Sequence, residues 1–156
     1  MKKLMINRSL SGAFPEGFHE MDRHELIKYF AGDTDRCGIH DENRHVILSV
    51  SWSKPGFLGF LTDERSVLNG ARLRLKLHLQ RYRRLEKLNR EIASRPAVGI
   101  RFEYQVTGTE FMQYSDLYVF KLGKLIYAVQ LVARKECFEE SQLLSEEFLR
   151  SIAVPA

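Results

Sequence analysis

From Val46 to Trp52 the apolar residues Val46, Leu48, Val50 and Trp52 alternate with His45, Ile47, Ser49 and Ser51. That period of two predicts a strand with one well-buried face. Arg36-Cys37-Gly38-Ile39-His40 precedes it, separated by the polar turn Asp41-Glu42-Asn43-Arg44, so the pair reads as a hairpin that ends at Pro55-Gly56. Residues 97–134 carry the strongest β signal. Val98, Ile100, Phe102, Tyr104 and Val106 point one way, and Gly99, Arg101, Glu103 and Gln105 the other, before a turn at Thr107-Gly108-Thr109. Strands over 111–122 and 125–134 follow, joined at Gly123-Lys124, where a leading glycine suits a type II′ turn. The last strand is apolar on both faces, with Leu125, Tyr127, Val129 and Leu131 on one and Ile126, Ala128 and Val132 on the other. Such a strand belongs in the middle of a sheet with layers above and below.

Three segments read as helix. Asp22 with Glu25 three residues on is a capping-box pattern; Leu26, Ile27 and Phe30 supply the apolar face and Gly32 a stop, predicting a helix over 22–31. Residues 138–151 place Phe138, Leu144, Phe148 and, just beyond, Ile152 at helical spacing. Local rules conflict over 63–85. Leu73, Leu75, Leu77 and Leu79 alternate behind Asn69-Gly70, as in a strand, yet the segment is rich in Leu, Arg, Lys and Gln, which favour helix. As a helix, Leu68, Ala71, Leu75, Leu79 and Tyr82 fall within about 80° of one another. Helix is the expectation for 63–85, with Leu73 and Leu77 on its outer side.

With 156 residues, 44% hydrophobic and 28% charged, the chain has ordinary globular composition and is long enough for one domain. No repeat, low-complexity stretch or linker divides it, so residues 1–156 read as a single domain. The two cysteines, Cys37 and Cys137, stand in no metal-type spacing and fit a reducing compartment. The apolar run after Lys2-Lys3 stops at Asn7, too short for a secretory signal, and no stretch has the length of a membrane span. A cytoplasmic location is the expectation.

Several segments, in order, resemble the PsbP-like domain family. Ala13-Phe14-Pro15-Glu16-Gly17-Phe18 is similar to that family's turn after the first strand, and Ile47-Leu48-Ser49-Val50-Ser51-Trp52 to its hairpin strand. Ala97-Val98-Gly99-Ile100-Arg101-Phe102-Glu103-Tyr104 resembles its central strand, Gly123-Lys124-Leu125-Ile126-Tyr127 its G-K-x-x-Y turn, and Phe148-Leu149-Arg150-Ser151-Ile152 its closing F-x-x-S-I helix end. The family spans an extrinsic photosystem protein, a Ran-GTPase nucleotide-release factor and DcrB-like proteins. The resemblance implies an α+β fold: an α/β/α sandwich with a mainly antiparallel sheet of five or more strands and helices on both faces. It also implies protein binding rather than catalysis, since these members share no catalytic residue set. The residues Met1 to Arg8 do not resemble the lipoprotein or transit start of exported relatives, so an exported role is not the expectation.

Candidate chemistry is sparse. His19-Glu20 and His24 are spaced one residue too far for the H-E-x-x-H zinc pattern, and Asp22 as the cap leaves His19 outside the helix. His40, Asp41 and His45 cluster at a hairpin tip, where His40 and His45 could face each other; a solvated polar tip is the plainer reading. No nucleophile motif or phosphate loop occurs, so no catalytic residue, metal or cofactor is expected. The feature with content is a basic run. Arg72, Arg74, Lys76, Arg81, Arg83, Arg84, Lys87 and Arg90 are interrupted by a single acid, Glu86, whereas the C-terminal region carries Glu136, Glu139, Glu140, Glu146 and Glu147. Arg72, Leu73, Arg74, Lys76, Leu77, Arg81 and Arg84 form the candidate partner-binding face, an apolar pair rimmed by cations that suits an acidic partner or a second copy. Tyr82 alone interrupts the cations, and too little aromatic surface accompanies them for nucleic acid. The sequence therefore points first to a non-catalytic interaction domain. A basic-face binder of nucleic acid or an anionic ligand is one alternative, and an enzyme with a scattered site another.

Overall fold

The computed structural model describes residues 1–30, 35–55 and 63–155. Gly32 and Gly56, expected at the end of the first helix and of the hairpin strand, lie outside them. The short strands β1 (Lys2–Met5) and β2 (Ser11–Phe14) form a separate antiparallel pair. Next come β3 (His19–Glu20), α1 (Arg23–Tyr29), β4 (Asp35–Asp41), β5 (Val46–Ser53), α2 (Glu64–His78) and β6 (Gln80–Ile92). β7 (Arg95–Gln105), β8 (Met112–Leu122), β9 (Leu125–Arg134) and α3 (Phe138–Ser151) complete the chain. Seven strands form one antiparallel sheet in the order β3-β4-β5-β9-β8-β7-β6.

The doubly apolar strand is central, as its pattern demands: β9 lies between β5 and β8. Its alternate residues feed two cores. Tyr127, Val129, Leu131 and Ala133 join Phe120 of β8, Leu48 and Val50 of β5, and Phe148 and Leu149 of α3. Ile126 and Ala128 join Leu117 and Val119 of β8, Ile100 and Phe102 of β7, and Leu68, Ala71 and Leu75 of α2. Helices α2 and α3 therefore cover opposite faces, with the β1–β2 pair beside α3. Burying Phe148 and Leu149, 0% and 4% exposed, contributes about 1.5–3 kcal/mol each. Ser151 ties the end of α3 to β2: its Oγ accepts from the Ala13 N–H at 2.8 Å, while Ser11 and Ala153 exchange backbone hydrogen bonds. The hairpin at Gly123-Lys124 has Gly123 at φ 61 with Lys124 outside the left-handed region, as a type II′ turn requires.

The helix expected over 63–85 is corrected in its second half. Asp63 caps α2, its carboxylate accepting from the Ser66 N–H, but the helix ends at His78 and the chain passes directly into the long edge strand β6. Tyr82 therefore packs from the sheet, against Phe102, and not from the helix. The cause of the misreading is physical. Residues Gln80–Glu86 oppose only Gln105–Arg101 of β7, so two extra residues are bulged out, and the half-buried positions Tyr82, Leu85 and Leu88 recur every third residue. A strand bulged in this way mimics helical spacing.

Candidate interaction face

Helix α2 is amphipathic along its length. Leu68, Ala71 and Leu75 face the sheet, and on the flank beside them Arg65, Asn69, Arg72 and Lys76 follow at intervals of three and four. Leu73 and Leu77 project outward, 54% and 80% exposed. Arg74 stands on the other flank near Gly70, its Nη1 3.6 Å from where a Cβ on that glycine would lie.

Strand β6 divides its charges between the two faces of the sheet, and its bulges set the division. Arg84 opposite Phe102, Lys87 opposite Ile100 and Asn89 opposite Val98 share the α2 face. With Arg65, Asn69 and Arg72 they line a cleft of about 180 Å³ between α2 and β6. Tyr82 sits behind these cations. Burial raises its phenol above the ordinary value while Arg72 and Arg84 pull it down, and its buried hydroxyl has no hydrogen-bond partner among the described residues.

On the opposite face three cations of the same strand pair are neutralised, while Arg95 at the start of β7 is exposed there without an ion pair among the described residues. Arg83 meets Glu103 at 2.8 Å, and Arg90 is paired with Glu146 of α3. Arg101, next to β6 on β7, meets Asp116 at 2.8 Å and Glu86 at 3.5 Å. By contrast, Arg65, Arg72, Arg84 and Lys87 make no ion pair among the described residues. The single basic run of the sequence is thus divided: Arg83 and Arg90 are closed by internal carboxylates, Arg72, Arg84 and Lys87 are left open around a cleft, and Arg74, Lys76 and Arg81 stand outside both groups. The arrangement can hold a carboxylate or another anion by charge-assisted hydrogen bonds, with apolar contact from Leu73 and Leu77. It brings no nucleophile beside a general base.

Of the residues expected on this face, Arg72 and Arg84 converge, Lys76 shares their flank, and Leu73 and Leu77 stand exposed beside them. Arg74 is displaced to the other flank. Arg81 sits exposed in the first bulge with φ 52. Arg65 and Lys87 complete the cleft. Arg65 was hidden in the sequence by its acidic neighbours Asp63 and Glu64, and Lys87 by the absence of any sign that the chain folds back as a strand.

The hairpin-tip residues separate. His40 and His45 do not face each other: His40 pairs in register with Ile47 on one side and His19 on the other, while His45 is exposed at φ 57. Nor is the tip solvated throughout, since His40 and Asp41 are 6% and 2% exposed. Asp41 is a turn residue, accepting from the Arg44 N–H at 3.0 Å and pairing with the Arg44 side chain at 2.8 Å. His40 and His19 share the carboxylate of Glu25, which therefore does not complete the expected capping box; only the Asp22 carboxylate to Glu25 N–H bond forms. A larger open groove of about 630 Å³ runs along Met1, Lys2, Phe14 to Phe18 and Glu147, and its lining contains no histidine, cysteine or hydroxyl.

No family model matches the chain, and no curated protein matches it in sequence. Solved structures do match. A Bacteroides thetaiotaomicron protein superposes with a TM-score of 0.61 at 14% identity over 99% of this chain and 48% of its own, so the chain spans about half the length of that protein. The PsbP protein of the cyanobacterium Synechocystis sp. PCC 6803 matches with a TM-score of 0.64 at 15% identity, covering 99% of this chain and 92% of that one. The Ran-binding protein Mog1p of Saccharomyces cerevisiae matches with a TM-score of 0.63 at 10% identity, covering 98% and 94%. In each case the likeness is one of fold, and it agrees with the resemblance carried by the turn and strand segments. The fold of this chain is that of the PsbP-like domains.

Proposed function

We propose that residues 1–156 form a single non-catalytic protein-interaction domain, which takes an acidic segment of a partner on the face between α2 and β6. The observation that carries this reading is the sorting of cations. On the α3 side of the sheet Arg83, Arg90 and Arg101 are closed by carboxylates; around the cleft, Arg65, Arg72, Arg84 and Lys87 are not. Open cations beside two exposed leucines give an apolar centre with a charged rim, which steers an acidic partner and fixes its register. Mog1p, of the same fold, is a Ran-binding protein, which supports binding as the type of role. Nucleic acid fits less well, because a single aromatic, Tyr82, stands among these cations, and its ring is packed on Phe102. The bulges and cations of β6 also defend its free edge, so docking is expected on the face rather than by strand addition. The two free cysteines support a reducing, cytoplasmic setting, and no helix of the described residues is long and apolar enough to cross a membrane.

A second reading has its own support: the partner is another copy of the chain. Leu143 of α3 is 75% exposed, and Glu139, Glu140 and Glu147 lie three or four residues away on the same helix face. That is the charge inverse of Leu73 and Leu77 with their arginines. Because α2 and α3 cover opposite sides of the sheet, the contact would be head-to-tail, building rings or open chains.

The test is affinity capture from the native cell with the wild-type chain and with Arg72→Glu/Arg84→Glu. Supporting the proposal would be a protein retained by the wild type, carrying an acidic segment, and lost from the variant while the variant's melting temperature is unchanged. Equal retention by both would sink it. Retention of nucleic acid with a steep salt dependence would favour the anionic-ligand alternative, and salt-sensitive self-association abolished by Leu143→Lys would select the second copy.

A further inference from the structure

The sequence spacing pairs His19 with His24, but the fold pairs it with His40. β3 and β4 place His19 and His40 directly opposite each other in register, with ring centroids 5.6 Å apart. Glu25, in the first turn of α1, reaches over both. Its Oε2 lies 2.9 Å from His19 Nε2 and 3.4 Å from His40 Nδ1. Glu42, in the turn after β4, brings a fourth donor, and one donor atom from each of the four lies within 4.8 Å of all the others.

We propose that His19, His40, Glu25 and Glu42 form a binding site for a divalent transition metal of the zinc type. Two imidazoles with two carboxylates are a donor set that such ions take. The spacing also fits. Zn–N and Zn–O bonds of about 2.0–2.1 Å in a tetrahedron put neighbouring donors roughly 3.3 Å apart. The separations of 2.9 and 3.4 Å from Glu25 to the two histidines bracket that edge. An ion entering here replaces the protons that the histidines now share with Glu25 and draws in Glu42 from the exposed turn after β4. His40, 6% exposed with Tyr29 edge-on at 5.3 Å, is the fixed point of the site, and His19 and Glu42 are exposed and form its open side.

The surrounding structure gives the ion something to do. β3 has two residues, α1 has no buried residue, and a segment so lightly packed opens easily. A metal bound by Glu25 of α1, His19 of β3 and His40 of β4 would tie α1 to the sheet and reinforce the two-residue pairing of β3 with β4.

The experiment uses the full chain stripped with a chelator and titrated with zinc chloride calorimetrically. The wild type is expected to take up one ion per chain. At zinc concentrations about 100-fold above the dissociation constant, the melting temperature rises by roughly 5–10 °C for a domain of this size. Amide exchange over 23–29 slows at the same time. His19→Ala and Glu25→Gln, both at the surface and safe for folding, weaken uptake by about 100-fold or more, beyond the effect of losing an outer hydrogen-bond partner. The double control His24→Ala/His45→Ala leaves it unchanged. Absence of saturable one-to-one uptake by the wild type overturns the proposal. So does uptake that survives His19→Ala and Glu25→Gln, or that disappears in the control.

Discussion

Replacing both exposed leucines of α2, Leu73→Glu with Leu77→Glu, separates an interface from a covered surface. At 54% and 80% exposure the two side chains bury little, so their loss costs little transfer energy. Leu and Glu have similar helix propensity, and exposed substitutions ordinarily stay within about 0.5 kcal/mol each. The new carboxylates are four residues apart and repel by about 0.2–0.5 kcal/mol. The one at 77, in the last turn of α2, opposes the helix dipole by about 0.3–1 kcal/mol. Lys76, three residues after 73, and Arg74, three before 77, return about 0.2–0.5 kcal/mol apiece. The net is a loss of about 0–1 kcal/mol, a fall in melting temperature of no more than about 4 °C. Partner capture or self-association, read by affinity capture and sedimentation velocity, should nevertheless disappear, because two acids now sit in the apolar centre of a basic face. Were the leucines covered, two buried charges would cost several kcal/mol, so a fall of 10 °C or more would refute the reasoning. Unchanged association with an intact fold would refute it equally.

Two further outcomes test the fold. The β6–β7 hairpin turns through Ala93 and Ser94, both left-handed at φ 51 and 61. Ser94→Gly relieves the second left-handed position while leaving Ala93 packed on the core, and should stabilise by about 1 kcal/mol, raising the melting temperature by about 2–4 °C. Conversely, a Cβ at Gly99 would lie 2.6 Å from the Leu117 carbonyl oxygen and 2.8 Å from the Tyr118 ring. Since backbone cannot yield there, Gly99→Ala should destabilise by about 3 kcal/mol in a denaturant titration.

Where side-chain periodicity and turn chemistry agreed, the sequence was sufficient. Val46–Ser53, Met112–Leu122, Leu125–Arg134 and Phe138–Ser151 form where alternation, Gly123 or helical spacing put them, because in each a buried face sets the period. The stretch after His78 was illegible for a definite reason. Its two bulges convert a period of two into a recurrence of three, and no glycine marks the end of α2. That error hid the main property of the candidate site. A continuous helix would spread the cations of 72–90 around one cylinder; a helix followed by a strand folds them into a cleft with Lys87 included. Arg65 could have been found from its helical offset to Arg72. Glu25 was concealed by a local explanation, since the capping pattern accounted for it before its reach to His19 and His40 could be seen. Pairings such as His19 with His40 depend on strand register, which single-residue patterns do not carry.

The central claim is that a partner docks across α2 and β6, and the most direct test is amide hydrogen exchange on the captured complex against the free chain. Slowed exchange concentrated in 64–78 and 80–89, with Phe138–Ser151 and the β1–β2 pair unaltered, is the expected result. Slowing confined to α3 or to β1–β2, with 64–78 and 80–89 exchanging as in the free chain, would contradict it.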